Sequence, residues 1–182
     1  MLFRSLTINS GTIQEVAAQM WSGALDLALV VLPIASAEFK KVVLLEESFV
    51  VVVPSHHRLA RPKRFDIAAL TQERFVLHRR DQNTRKLIDR FFFKHKITPN
   101  VAIELSETEA IKEMVARGLG VSVLPASAFP HWRRAAGVKT FPIHDPELKR
   151  TLALVYLRDK ALRPPVQAMI DLLVKHFHAT GK

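Results

Sequence analysis

Three stretches of this sequence gather small hydroxyl and amide side chains where a helix is expected to begin: Asn9-Ser10-Gly11-Thr12, His78 to Thr84, and Ser106-Glu107-Thr108. A helix start leaves amide N–H groups without intrahelical acceptors and carries partial positive charge, so each junction is suited to hold an anion. Arg79 or Arg80 adds a guanidinium able to fork onto a carboxylate. The chemistry on offer is noncovalent binding. Thr12 and Ser106 also read as ordinary helix caps. Glu107 opposes a simple anion site, and either faces solvent or selects a ligand bearing an amine or hydroxyl.

Catalytic patterns are scarce. The sequence has no G-x-S-x-G elbow, no phosphate-binding P-loop, no G-x-G-x-x-G after a strand and no H-E-x-x-H. His78-Arg79-Arg80-Asp81 is superficially like a kinase catalytic loop but lacks the accompanying glycine-rich and metal-binding motifs. His56 and His57 are adjacent and point apart, which disfavours a shared metal, while His176 and His178 sit near a helix C-terminus where imidazole favours the dipole. Glu107 with His78 is the one titratable pair an enzyme could use. The reading is a protein without catalytic residues, bound metal or cofactor, and not an enzyme.

The elements that must position these junctions centre on Val101 to Pro125. Val101, Ile103 and Leu105 alternate as in a strand, Ile111, Met114 and Val115 share one helical face, and Val121, Val123 and Leu124 form a second strand ending at Pro125. Ser106 with Glu109 predicts a capping box and Gly118 a left-handed helix end. A similar unit comes earlier. Leu6 and Ile8 predict a strand, Thr12 with Glu15 a capping box, Ile13, Val16, Ala17 and Met20 a buried helical face, and Gly23 its end. Leu25, Leu27, Leu29 and Val31 return as a strand ending at Leu32-Pro33. Two α/β lobes built alike, facing each other across a cleft, follow from the duplication.

The remaining segments fit the same scheme. Lys40 to Glu46 predicts a strand, and Ser48 to Pro54 a strand buried on both faces that lies deep or crosses between lobes. The polar loop Pro54 to Pro62 is a natural exit from one lobe, followed by a helical turn at Asp66 to Leu70 and a strand at Arg74 to His78. Asp81 to Thr84 opens a helix with Leu87, Ile88, Phe91 and Phe92 inside and Arg85, Lys86, Asp89 and Arg90 outside. Ala126 to Arg134 predicts a short helix, Val138 to Ile143 and Lys149 to Leu157 strands, and Pro164 or Pro165 the start of a last helix burying Val166, Met169, Ile170, Leu173 and Phe177.

With 182 residues, 48% of them hydrophobic, the chain can bury a real core, and the absence of cysteine excludes disulfides and thiolate metal sites. Met1-Leu2-Phe3-Arg4 opens no signal-peptide apolar region, and runs such as Phe49 to Pro54 are too short to span a bilayer, so a cytoplasmic protein without membrane contact is expected. The net charge of +10 raises nucleic acid as a partner, but Lys40-Lys41, Arg79-Arg80, Arg133-Arg134 and Lys149-Arg150 are dispersed and not interleaved with aromatics. A solvated basic surface is the reading preferred.

Several of these segments together resemble the effector-binding domain of LysR-type transcriptional regulators. They are Gly23-Ala24-Leu25-Asp26-Leu27-Ala28-Leu29-Val30 with Pro33, Val51-Val52-Val53-Pro54, His57-Arg58-Leu59-Ala60, Arg85 through Phe92, Val115-Ala116-Arg117-Gly118-Leu119-Gly120-Val121 with Leu124-Pro125, and Arg150-Thr151-Leu152-Ala153-Leu154-Val155. The match is collinear over almost the whole chain, with Arg58 replacing the proline often seen in that loop.

The resemblance implies an α/β fold of two Rossmann-like lobes, of periplasmic-binding-protein type II architecture, joined by two crossing strands. Residues 1–54 with 151–182 would form the first lobe and 55–150 the second. It places Gly11, Thr12, Arg79, Asn83, Ser106 and Thr108 near a small, carboxylate-bearing effector in the inter-lobe cleft. It also implies a homodimer, with DNA bound only through a helix-turn-helix absent from this chain, which enters at what resembles the second strand of the first lobe. A transport-type solute-binding protein and an enzyme on the same scaffold are the alternatives.

Overall fold

The computed structural model describes residues 6–61, 65–129 and 137–180, with side chains through Phe177. In chain order these form α1 (Ile13–Trp21), β1 (Ala28–Val31), β2 (Phe39–Pro54), β3 (Arg74–His78), α2 (Asn83–Lys94), β4 (Asn100–Leu105), α3 (Thr108–Ala116), β5 (Ser122–Pro125), β6 (Val138–Pro142), β7 (Lys149–Leu157) and α4 (Pro164–Thr180), with short 3-10 turns at Arg58–Ala60, Ile67–Gln72 and Ala126–Ala128. Among the described residues, no helix is long and apolar enough to cross a membrane. The chain divides into two compact units, one of Met1–Glu46 with Thr151–Lys182 and the other of Glu47–Arg150.

In the first unit β1 pairs antiparallel with β7, Ala28 opposite Val155 and Val31 opposite Leu152, and β7 lies between β1 and β2. Met20 of α1, Val30, Phe39, Leu44, Val155 and Ile170 of α4 make its core. α1 is started by the capping box expected of Thr12 and Glu15, and Gly23 ends the turn after it at φ 75°. Arg163 donates to both carboxylate oxygens of Asp26, at 2.7 and 2.6 Å, and Lys160 adds a bond at 3.1 Å. The Arg163 hydrogen bond, more than that from Lys160, lowers the Asp26 pKa and ties the start of α4 to the turn before β1.

Two expectations fail in this unit. Leu6 and Ile8 form no strand; the segment before α1 is irregular and both side chains are exposed, at 62 and 82%. Two apolar residues in alternation do not make a strand without a ladder to join. The return strand is also shorter than predicted. Leu25 and Leu27 precede it, and within β1 it is Ala28 and Val30 that point inward while Leu29 is half exposed.

The predicted strands at 40–46 and 48–54 are one continuous β2. Its residues from Phe49 to Pro54 are all buried, as their unbroken apolar run foretold. In the second unit this half of β2 is flanked by β5, with Val51 opposite Val123, and by β6, with Val51 opposite Phe141. β3 and β4 pair in parallel from Arg74–Asn100 to His78–Leu105, with a bulge between Phe75 and Val76. Ile88, Phe91 and Phe92 of α2 pack against Phe49, Phe75 and Leu77, the rings of Phe75 and Phe92 edge to face at 5.0 Å. Ile111 and Val115 of α3 cover Val52, Val76 and Leu124. Of the helix expected at Ala126 to Arg134, Ala126–Ala128 is a 3-10 turn and residues 130–136 lie outside those described.

Gly118 ends α3 at φ 83°, as expected. Gly120 serves a different need. Val121 exchanges backbone bonds with Arg74 and Val76, at 2.8 and 2.9 Å, and this close approach leaves a Cβ at position 120 only 2.6 Å from the Arg74 carbonyl oxygen. Gly120→Ala is therefore expected to destabilise the protein by about 2 kcal/mol, read as a lowered urea midpoint with an unchanged slope. A midpoint equal to that of the parent chain would show that the backbone yields there.

Candidate ligand-binding site at the ends of the parallel strands

Parallel strands, each followed by a helix, bring two helix starts to one edge of a sheet. Here β3 and β4 end at His78 and Leu105, and the Arg79 amide extends the pairing by donating to the Leu105 carbonyl at 3.1 Å. α2 begins at Asn83 and α3 at Thr108. Gln82, the residue capping α2, makes no side-chain cap; its Nε2 donates across to the Ser106 carbonyl at 3.0 Å. Thr108 Oγ1 lies 3.1 Å from His78 Nε2. The two helix starts are thus linked loop to loop.

The capping box predicted for Ser106 and Glu109 is not formed. α3 starts one residue later than that pattern requires, so Glu107 is the cap and makes no side-chain capping hydrogen bond, while Lys112 donates to the Glu109 carboxylate at 2.9 Å. By contrast, Glu15 accepts from both the Thr12 amide, at 2.7 Å, and its hydroxyl, at 3.0 Å, so α1 already carries its own carboxylate at its start.

Beneath the edge lies a buried polar layer. Arg85, predicted to face outward, is 2% exposed. Its Nε donates to Asp89 at 2.8 Å, and its Nη1 to the His78 carbonyl at 2.7 Å and to Glu104 at 2.8 Å. Burial alone would favour a neutral guanidine, but the hydrogen bonds with Asp89 and Glu104 prevail and raise its pKa. Glu104 is lowered in turn, chiefly by the bond from Arg85. His78 is 3% exposed; burial first, then the charges of Arg150 and Arg85, push its pKa down to about 4, so it is neutral at pH 7. Its Nδ1 has no hydrogen-bond partner among the described residues. On the surface, Arg79 pairs with Asp81 at 2.9 Å and Arg80 approaches Glu104 at 3.4 Å; these four line a shallow depression of about 430 Å³.

Such an edge can orient a small anion, with two helix starts and a guanidinium to receive it. A family model described as the LysR substrate binding domain matches residues 5–178. The chain belongs to the LysR substrate-binding domain family.

Relatives of this LysR domain include the hydrogen peroxide-inducible genes activator of Pectobacterium carotovorum subsp. carotovorum, 28% identical over 93% of this chain and 56% of that protein. The chain therefore spans about half the length of the regulators it matches. The regulatory domain of CcmR from Synechocystis PCC6803, solved in complex with 2-PG, has a TM-score of 0.78 at 25% identity, covering 91% of this chain and 80% of that one. The effector-binding domain of QuiR, in complex with shikimate, also gives 0.78, at 22% identity and covering 93% and 79%. The fold is that of these domains, periplasmic-binding-protein type II.

Of the residues singled out in the sequence, four lie around one edge of this LysR domain. Arg79 follows β3, Asn83 opens α2, Ser106 follows β4 and Thr108 opens α3. Gly11 and Thr12 belong to the other unit, at the start of α1, where a Cβ on Gly11 would come within 3.0 Å of Glu15 Oε2. Sequence reasoning missed Arg85, Glu104 and Gln82. For Arg85 a signal was present: it stands three and seven residues before Ile88 and Phe92 on the buried stripe of α2, with Asp89 one turn on as a counter-charge.

Proposed function

We propose that this domain is the ligand-sensing part of a transcriptional regulator, and that the edge carrying Arg79, Asn83, Ser106 and Thr108 holds the anionic group of a small, carboxylate-bearing effector. The observation carrying the proposal is the pair of helix starts, α2 and α3, presented side by side with neither Gln82 nor Glu107 capping them by its side chain. Arg79 stands next to them, paired with Asp81, and an effector carboxylate takes the place of Asp81 as its partner, while His78 is neutral and adds no charge. Neighbours solved with shikimate, itself a carboxylate, and with 2-PG support an effector of this kind. Gly11 and Thr12 are proposed as further contacts from the family resemblance alone. A homodimer, with operator DNA bound through a helix-turn-helix outside this chain, completes the reading. The effector acts by binding one arrangement of the protein better than another.

The test is thermal shift at fixed protein concentration against shikimate, other hydroxy-carboxylates, aromatic acids and inorganic phosphate. At least one carboxylate is expected to raise the melting temperature, and Arg79→Ala to weaken its binding roughly tenfold. The proposal fails if no acid shifts the transition, or if affinity is unchanged in both Arg79→Ala and Thr108→Val.

A further inference from the structure

Glu47 and Arg150 are the residues at which the chain enters and leaves the second unit, one in β2 and the other in β7. They form an ion pair. Arg150 Nε donates to Glu47 Oε1 at 2.6 Å, and the two side chains are only 14 and 6% exposed. The other Glu47 oxygen accepts from the Ser127 amide at 3.0 Å. Arg150 Nη1 donates to Thr84 Oγ1, in the first turn of α2, at 3.2 Å. Next to Thr84 comes Arg85, which holds the His78 carbonyl and Glu104. Polar contacts, joined by the backbone between Thr84 and Arg85, therefore run from Glu104, at the surface edge, through the first turn of α2 to both strands that leave the unit.

A pair this deeply buried gives little stability over an apolar pair of equal volume, because desolvation offsets most of the attraction. Stability alone does not account for charges at these two positions. We infer that the Glu47–Arg150 pair couples the β3–β4 edge to β2 and β7, so that a change in the contacts of Glu104 and α2 reaches the strands joining the units. When the first turn of α2 shifts, Thr84 moves the fork of Arg150, and Arg150 carries Glu47 with it. The inference gives the proposed effector site a route to the rest of the protein, but it is testable with no effector present.

The experiment is a cycle followed by amide hydrogen exchange on the whole chain, with protection at residues 48–51 and 151–153 normalised to each variant's global unfolding free energy from urea denaturation. Glu104→Gln perturbs the edge, and the combined Glu47→Gln and Arg150→Met change removes the pair without stranding a charge. In the parent background Glu104→Gln is expected to change normalised protection at the crossing residues roughly fivefold or more, and in the paired background by less than about twofold. Equal responses in the two backgrounds, or no response in either, overturn the coupling. Arg150→Lys, which keeps the charge and loses the fork, serves the same comparison if the combined variant does not fold. Because no ligand enters, equal exchange responses with intact carboxylate binding reject only the coupling, and lost carboxylate binding with an intact cycle rejects only the effector site.

Discussion

Arg85→Ala is expected to lower the free energy of unfolding by about 4 kcal/mol, the sum of the cavity left by a large buried side chain and the loss of a charged donor to a buried carbonyl. The side chain fills space between α2 and the ends of β3 and β4, and three polar groups are arranged around it: Asp89, Glu104 and the His78 carbonyl. Truncation opens a cavity and strips the buried carbonyl of a charged donor. Arg85→Met refills most of the volume and isolates the polar part, for which about 2 kcal/mol is expected. Arg80→Ala is the control. Its guanidinium also approaches Glu104, but from a largely exposed position, so a change within about 0.5 kcal/mol is expected. Urea unfolding at pH 7 checks all three, and an Arg85→Ala loss below about 1 kcal/mol would mean that the layer under the edge does not hold it together.

The second large effect concerns pH. His78 titrates near 4 in the folded chain against 6.5 when unfolded, so below pH 6.5 the unfolded chain takes up a proton that the folded one refuses. Stability must fall with pH across that interval, by about 2 kcal/mol on reaching pH 5 and about 3 kcal/mol on reaching pH 4. The carboxylates of Asp26, Glu104 and Asp145 act lower down. Their folded pKa values are depressed from 3.8, 4.5 and 3.8, so their contribution is complete above those values and is lost as pH falls from there through the folded ones. Unfolding measured between pH 7 and pH 5 therefore leaves mainly histidines to titrate, eight in this chain, and the difference between parent and variant separates His78 from the others. His78→Gln, which does not titrate there, should flatten the slope over that range; a slope equal to that of the parent assigns the acid sensitivity elsewhere.

The residues that fix their own backbone were legible in advance. Thr12 with Glu15 and the glycines at 23 and 118 act within a few positions of chain, and the run from Phe49 to Val53 declares two buried faces by composition alone. What escaped depends on partners distant in sequence. Ser106 and Glu109 have the right types and spacing for a capping box, yet where α3 starts is settled together with the His78–Thr108 and Gln82–Ser106 contacts, which reach 30 and 24 residues back. Arg85 was assigned outward by its charge, although the helical period placed it inward; Glu104, 19 residues on, makes that burial tolerable. Leu6 and Ile8 erred the other way, carrying the pattern of a strand without a ladder to join.

The division of the chain bears on its biosynthesis. Glu47–Arg150 is uninterrupted, so every residue of that unit's core is synthesised before residues 151–182. The other core waits: β1 needs β7, and Ile170 of α4 arrives last. Vectorial synthesis thus completes the inserted body's sequence first, and the apolar residues of α1, β1 and the first half of β2 stay without their final partners until β7 and α4 have been made.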